Sequence, residues 1–291
     1  DVPFWCTKFL NHWKPSLVLW IESDIWPNML QAIKEKKISC IYLNARISPK
    51  SFHRWKSFRN LYSESLRAFN TIYAQSHNDL ERIKILSNSK IEYIGNLKLS
   101  QNKGVETYKN QKKKFSIMIA SSHRFEEEII IKNIIKLIKN KKLKLCIAPR
   151  HPERIKEIIN LLLVNNLTYS IDSKGNNLES DVLIIDSFGN LNAYFNKSEI
   201  VILGGSFVSK GGHNPLEPAK YNCAIISGKY VYNWQNIYEY MVMEKACTVI
   251  NKIENLKVTI NNYLLNKEKL EYSKMKAMRF SNKKFFDSDI L

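Results

Sequence analysis

Short runs of apolar, often β-branched residues alternate with longer amphipathic segments along most of the chain. Segments such as EEEIIIKNIIKLIKN and PERIKEIINLLLVNN carry apolar residues at helical spacing. Strands that alternate with helices predict right-handed βαβ units, and therefore an α/β fold with doubly wound parallel sheets. The predicted strands are residues 17–21, 39–45, 71–75, 91–95, 115–120, 143–149, 167–172, 182–186, 200–204, 223–227 and 247–250.

A polar, lysine-rich segment without a strand pattern, LSQNKGVETYKNQKKK, divides this alternation, and we interpret residues 99–114 as a linker. Four predicted strands precede it and seven follow it. We therefore expect an incomplete first domain over residues 1–98 and a full doubly wound domain over residues 115–265. Residues 266–291 predict a basic amphipathic helix, either solvated at the terminus or in contact with a membrane.

The charge balance narrows the classes of partner. The 45 Lys and Arg residues against 27 Asp and Glu residues give a net charge of +18, which favours a nucleic acid, a membrane surface or a phosphorylated substrate. The alternative is that the excess of basic residues reflects a genome composition that favours lysine, and not a surface patch selected for binding. Basic residues interleaved with aromatic ones are lacking, which disfavours nucleic acid. The five scattered cysteines predict buried free thiols without a disulfide framework or zinc site.

The stretch GGSFVSKGGHNPLEP, residues 204–218, concentrates four of the nine glycines after a predicted strand. Asn214 fits the N-cap position, Pro215 fits N1 and Glu217 fits N3 of a following helix, as in a capping box. Glycines allow close approach of a ligand, and a helix start offers N–H groups to a phosphate. The alternative is a glycine loop that only turns the chain, with a glutamate that only caps the helix.

Other strand ends carry polar residues toward the same sheet edge. IASSHRFEEE places Ser122 and His123 before a helix with an acidic first turn, IAPRHPERI places Arg150 and His151 before another, and DSFGNLNAYF places Gly189 before a third. Each loop alone is typical of helix capping, whereas together they predict a phosphate and sugar pocket. The residues assigned to this wider donor pocket are Ser122, His123, Gly211, Gly212 and His213. No metal-ligand spacing is present, and we expect neither a metal nor a cofactor.

These motifs together resemble one family. The chain is similar to the 3-deoxy-D-manno-octulosonic acid (Kdo) transferases, GT-B glycosyltransferases that move Kdo from CMP-Kdo to a lipid A precursor. The resemblance covers essentially the whole chain and implies two Rossmann-like domains. The blocks that carry it are WIESDIWPN (20–28), NARIS (44–48), IGNLK (94–98), APRHPER (148–154) and GGSFVSKGGHNPLEP (204–218).

The resemblance also assigns residues to roles. Glu22 and Lys98 match positions that stabilise the transition state. From the residues alone, the position of Glu22 at the carboxyl end of a strand favours function over the alternative, a carboxylate that caps the helix at DIWPNML, and Lys98 is a solvated lysine. Asn190 departs from the family, in which that position is often acidic. The residues that match CMP contacts are Pro149, Arg150, Phe188, Gly189, Asn190, Asn214, Pro215, Leu216 and Glu217.

The family's membrane anchor and its catalytic base precede the matched region, so we expect this chain to lack both and to be inactive alone. The resemblance implies a lipid A precursor as acceptor and a peripheral location on the cytoplasmic side of the bacterial inner membrane. No D-x-D-like pair follows a strand, so no metal requirement is expected. The alternatives are another GT-B enzyme with a different nucleotide sugar, or a non-catalytic nucleotide-binding remnant.

Overall fold

The computed structural model describes residues 1–22, 24–97, 113–141, 143–175, 179–187, 189 and 191–283, which form two compact units. All eleven predicted strands are present within these residues. They are β1 Leu17–Ile21, β2 Ser39–Ala45, β3 Thr71–Ala74, β4 Ile91–Tyr93, β5 Phe115–Ser122, β6 Leu145–Pro149, β7 Tyr169–Ile171, β8 Val182–Ile184, β9 Ser198–Leu203, β10 Ala224–Gly228 and β11 Thr248–Ile250.

The helices lie between the strands, as the amphipathic segments predict. The first unit contains α1 Pro3–Trp13, α2 Pro27–Glu35, α3 Pro49–Ser57, α4 Arg59–Leu66 and α5 His77–Leu86. The second unit contains α6 Glu126–Lys141, α7 Ile155–Val164, α8 Leu191–Asn196, α9 Leu216–Ala219, α10 Gln235–Met243, α11 Glu254–Leu265 and α12 Lys267–Ser281.

The first unit is built on a parallel sheet in the order β1-β2-β3-β4. Its core includes Leu30, Tyr42, Leu66 and Ile72, none of which is more than 1% exposed. Strand β1 is the edge of this sheet among the described residues, and its side chains Leu17, Leu19 and Ile21 are exposed. Beside β1 the exposed tryptophans of α1 line an apolar groove. This edge therefore offers both unpaired backbone groups and apolar side chains to the surroundings.

The second unit is a seven-stranded parallel sheet in the order β11-β10-β9-β5-β6-β8-β7. Strand β5 lies in the middle, and Ile117 through Ala120 are fully buried, as expected when helices cover both faces of a parallel sheet. The chain proceeds from β5 to β6 on one side, whereas β9 lies on the other side of β5. Such a reversal opens a crevice at the carboxyl ends of the two central strands, β5 and β9.

The basic terminal helix α12 belongs to the second unit. It buries Leu270, Ala277 and Phe280 on one face, so residues 267–281 are not a fully solvated appendage. Lys274, also buried, donates hydrogen bonds to Glu199 at 2.6 Å and to Glu271 at 2.7 Å. Residues 284–291 lie outside the described part of the chain.

All five cysteines are buried and unbridged, as their scatter predicts. Across the described residues, no helix is both long and apolar enough to cross a membrane.

Candidate nucleotide site

The candidate site lies at the carboxyl ends of β5, β6 and β9, where the sheet order reverses. Three loops meet here: one after Ser122, one after Pro149 and one after Leu203. The backbone N–H of Arg150 donates to the Ser122 carbonyl at 2.9 Å, which joins the first two loops. The N–H of Gly204 donates to the Ala120 carbonyl at 2.8 Å, which joins the third loop to the first.

The glycine loop after β9 begins with two residues that a side chain would disturb. A Cβ added to Gly204 would lie 2.3 Å from the carbonyl oxygen of Ser121, so the two loops cannot approach this closely with any other residue. Gly205 has φ +67°, a left-handed conformation that glycine adopts without strain. These two glycines therefore serve the packing of loop against loop.

The buried carboxylate of Glu126 fixes this glycine loop. One oxygen accepts the backbone N–H of Gly205 at 2.6 Å and that of His123 at 2.8 Å. The other accepts the N–H of Ser206 at 3.0 Å and that of Phe207 at 2.8 Å. Burial raises the pKa of Glu126, and hydrogen bonds from backbone N–H groups act in the opposite direction. The amides of Gly205, Ser206 and Phe207 at the start of the glycine loop are therefore already occupied by a carboxylate of the protein itself.

A second buried carboxylate, that of Glu127, joins β5 to the loop after β6. Arg154 binds it through two parallel hydrogen bonds of 3.0 and 3.1 Å, and the Ser122 hydroxyl donates to it at 2.8 Å. Glu127 is 2% exposed, so its charge depends on these partners. Ser122 is completely buried, and its side chain supports the loop from within.

Two histidines from different loops pair at the crevice. His123 follows β5 and His213 closes the glycine loop; their Nε2 atoms are 3.1 Å apart. The ring planes lie within 7° of each other, with centroids 5.3 Å apart. His151 approaches the His123 ring edge-on, with a centroid distance of 5.8 Å. Among the described residues, no group of three or more His, Cys, Asp or Glu side chains could hold a metal ion.

Both members of this pair favour the neutral form. Burial, with smaller contributions from His123 and Arg150, lowers the pKa of His213 from 6.5 to about 4. Burial also lowers the pKa of His123, as do His151, Lys210 and Arg150 in decreasing order. Arg150 and Lys210 therefore act on the pair against a smaller opposing contribution from Glu127, whose carboxylate is paired with Arg154.

The predicted capping box around Asn214 is only partly correct. Helix α9 begins at Leu216, not at Pro215, and is four residues long. The Asn214 side chain does accept the Leu216 N–H at 3.1 Å, but Glu217 accepts the Asn214 side-chain amide at 3.2 Å instead of its backbone N–H. Glu217 is exposed, so its carboxylate can also be reached by a ligand.

The other predicted pocket residues are placed as follows. Gly211 and Gly212 are buried in the glycine loop, and the Gly212 N–H donates to the Gly205 carbonyl at 2.8 Å. Gly189 is exposed after β8, two strands from β5 in sheet order. Phe188 and Asn190 lie outside the described residues.

Of the two predicted catalytic residues, Glu22 lies in the first unit directly after β1. Its φ is +72°, a left-handed conformation that is uncommon for a residue with a side chain. At the start of α2, the helix considered for a Glu22 cap, the Asp1 carboxylate accepts the N–H groups of Asn28 and Met29 at 2.8 and 3.0 Å. Lys98 lies outside the described residues.

The supporting residues Glu126, Glu127 and Arg154 were not singled out from the sequence. The acidic first turn of α6 is visible there, yet three successive glutamates give no sign of which ones face inward. Glu128 is the exposed one and pairs with Lys132. The packing of α6 against the glycine loop shows that Glu126 and Glu127 are the buried carboxylates and Glu128 is not.

Comparison with known proteins identifies the family. Residues 1–101 match the family model described as 3-Deoxy-D-manno-octulosonic-acid transferase (kdotransferase). The 3-deoxy-D-manno-octulosonic acid transferase of Rickettsia bellii is 32% identical, over 96% of this chain and 70% of its own length. This chain belongs to the Kdo transferase family. The family is one of glycosyltransferases, and the chain spans about two thirds of the length of the curated relatives it matches.

Solved structures agree with this assignment. The crystal structure of the C-terminal CMP-Kdo binding domain of WaaA from Acinetobacter baumannii is 27% identical, with a TM-score of 0.55, and covers 60% of this Kdo transferase chain and 91% of that domain. Anabaena Alr3699/HepE in complex with UDP has a TM-score of 0.61 over 98% of this chain and 78% of its own, at 13% identity, which shows the fold alone. The predicted GT-B fold and family are thereby confirmed.

Proposed function

We propose that the second unit binds the cytidine nucleotide of CMP-Kdo at the carboxyl ends of β5, β6 and β9. The observation that carries this proposal is the charge at the crevice. Arg150 and Lys210 both lower the pKa of His123 in the histidine pair. The two buried carboxylates nearby are already hydrogen-bonded, Glu126 to backbone amides and Glu127 to Arg154. A site with this balance favours an anionic ligand such as a phosphate.

The nucleotide contacts follow the family resemblance. Arg150 supplies a charged donor for the phosphate, because its side chain is exposed beside the histidine pair. Glu217 accepts hydrogen bonds from the ribose hydroxyls through its exposed carboxylate. The remaining contacts are assigned to Pro149, Phe188, Gly189, Asn190, Asn214, Pro215 and Leu216.

In the proposed reaction, Kdo is transferred to a hydroxyl of a lipid A precursor. The bond between the sugar and the phosphate oxygen breaks, and CMP leaves with the electron pair. A bond forms from the acceptor oxygen to the sugar, and the acceptor hydroxyl passes its proton to the family's general base, which is not among the residues assigned here. The departing phosphate needs positive groups, which Arg150 and Lys98 supply in this proposal.

Glu22 is assigned to the same reaction on the acceptor side. Left-handed backbone at a residue with a side chain costs conformational energy and persists where the surroundings impose it. Glu22 has this backbone at the carboxyl end of a strand, where α/β folds place functional side chains. We assign it to transition-state stabilisation. The acceptor is a membrane lipid, so we place the reaction at the cytoplasmic face of the inner membrane, to which the net charge of +18 is suited.

Isothermal titration calorimetry with CMP and with UMP tests the nucleotide assignment. CMP is expected to bind more tightly than UMP. Arg150→Ala should weaken CMP binding by about 1.5–3 kcal/mol, the range for a hydrogen bond to a charged group. Arg124→Ala is the matched control, because Arg124 is an exposed arginine of the loop after β5 to which no nucleotide contact is assigned, and it pairs with Glu157 at 3.8 Å. Equal binding of both nucleotides, or none, would contradict the proposal.

A further inference from the structure

We propose that the His123–His213 pair takes up one proton when an anionic oxygen of the donor nucleotide binds beside His123. Donor affinity is then linked to pH through these two rings. The inference rests on the proposed nucleotide site and adds a proton to its binding equilibrium.

The hydrogen bonds of the pair define where that proton goes. Two ring nitrogens 3.1 Å apart need one proton between them. Hydrogen bonding to the Ser121 backbone raises the pKa of His213, which favours a hydrogen on the ring nitrogen that faces Ser121. Because Nε2 of His213 faces His123, the donating atom is Nδ1. His213 Nε2 is then the acceptor, and His123 Nε2–H is the donor.

This arrangement leaves one nitrogen, His123 Nδ1, as the atom that changes. In the neutral pair it carries a lone pair, which repels an anionic oxygen. In the protonated pair it carries a hydrogen and donates to that oxygen. An anion therefore binds the protonated pair, whereas a hydroxyl or amide donor binds the neutral one.

The charged groups that face the pair favour an anion as the occupant. From the loop after β6 come Arg150 and His151, and from the glycine loop comes Lys210. From the start of α6 come Glu126, which accepts four backbone N–H groups, and Glu127, which is paired with Arg154. When no ligand is bound, the positive charges of Arg150 and Lys210 disfavour a proton on the histidine pair. A bound anion offsets these charges. Binding and protonation therefore promote each other.

The pair is neutral at pH 7 before the ligand binds. Burial and the neighbouring cations lower the pKa of both rings, that of His213 to about 4. A bound anion raises the affinity for a proton, so CMP should bind more tightly as the pH falls from 8 toward 6. One linked proton changes the affinity by at most about tenfold per pH unit.

Calorimetry in buffers with different ionisation enthalpies counts the protons taken up. CMP is titrated at pH 7 into the wild type and into His123→Asn, which removes the nitrogen that gains the proton, so that the phosphate's own titration cancels in the difference. The wild type is expected to take up about half to one proton more than the variant, since one proton is linked in the proposal. Cytidine, which has no phosphate, should show no such difference, and His151→Asn should retain the wild-type uptake.

The outcomes separate this inference from the proposed function. If CMP binds and both proteins take up the same number of protons, the proton linkage is wrong and the nucleotide site stands. If CMP does not bind the wild type, the nucleotide site itself is wrong. His123→Gln makes the same comparison if His123→Asn fails to fold, which urea unfolding reports. A wild-type affinity that stays constant between pH 8 and pH 6 would also overturn the linkage.

Discussion

The carboxyl edges of the two sheets are built in different ways. In the second unit, the buried carboxylates of Glu126 and Glu127 bind three loops into one assembly. In the first unit, Glu22 has a left-handed backbone after an edge strand whose side chains Leu17 and Leu19 are exposed. Hydrogen bonds to buried carboxylates thus hold the loops at the carboxyl edge of the second sheet. The edge strand of the first sheet exposes apolar side chains instead. The comparison indicates that loop preorganisation is concentrated in the second unit.

The largest effect is expected from removing the carboxylate that holds the glycine loop. Glu126→Ala leaves four backbone N–H groups without their acceptor in a fully buried site. We expect the free energy of unfolding to fall by about 3–5 kcal/mol, because each is a hydrogen bond to a charged group. Urea unfolding measures it.

The control for that change comes from the same helical turn. The Glu128 side chain is 46% exposed and pairs with Lys132 four residues on, so Glu128→Ala should cost less than about 0.5 kcal/mol. Equal losses from the two variants would show that the loop does not depend on Glu126.

A slightly smaller loss is expected at the other buried carboxylate. Arg154→Ala leaves the charge of Glu127 buried with only the Ser122 hydroxyl among its identified partners. We expect a loss of about 2–4 kcal/mol in the free energy of unfolding. Arg124→Ala, at an exposed pair 3.8 Å from Glu157, should cost less than about 1 kcal/mol. An Arg154→Ala protein as stable as the control would contradict the role given to this ion pair.

A third effect depends on pH and on His213. Its pKa is about 4 in the folded protein and about 6.5 in the unfolded chain, so the unfolded chain binds more protons between these values. Stability should therefore fall as the pH is lowered from 7 to 5, by about 1–2 kcal/mol from this group, since the ring is partly exposed. His213→Asn should flatten that part of the profile. An unchanged slope in the variant would assign the pH dependence to other groups.

The smallest stability effect is expected at the apolar edge of the first unit. Leu19 is 52% exposed on β1, so Leu19→Lys should change the free energy of unfolding by less than about 0.5 kcal/mol. The same change should reduce self-association, because a charged side chain on an edge strand opposes strand pairing between molecules. Sedimentation velocity measures this, with Leu265→Lys as control, since Leu265 is 71% exposed at the end of α11. Equal self-association in both variants would show that β1 is not the contact.

The strands could be predicted because each is a short run of apolar residues that lies between two amphipathic segments. Ile117 to Ala120 and Ile200 to Leu203 are apolar throughout, as strands covered on both faces must be. The strand order was not predictable, because pairing β5 with both β6 and β9 is a tertiary choice. The sequence therefore indicated which loops share an edge, but not that β5 and β9 are neighbours.

The loops that form the site could be predicted from the sequence, but the hydrogen bonds that join them could not. Arg150, His123 and His213 follow strands and were identified on that ground. Glu126 could not be distinguished from the two glutamates that follow it. Gly205 and Ser206 bind its carboxylate through backbone N–H groups, which every residue except proline has, so the sequence does not mark this contact. The start of α9 differed by one residue from the predicted position, because Asn214 caps Leu216 across Pro215.

Hydrogen–deuterium exchange with and without CMP tests most directly where the donor nucleotide binds. The account predicts that CMP slows exchange in peptides that cover residues 121–125, 149–154 and 208–217, and leaves residues 1–97 unchanged. The amides of Gly205 to Phe207 should exchange slowly even without CMP, because Glu126 accepts them. Protection by saturating CMP confined to residues 1–97, or protection nowhere, would contradict the account.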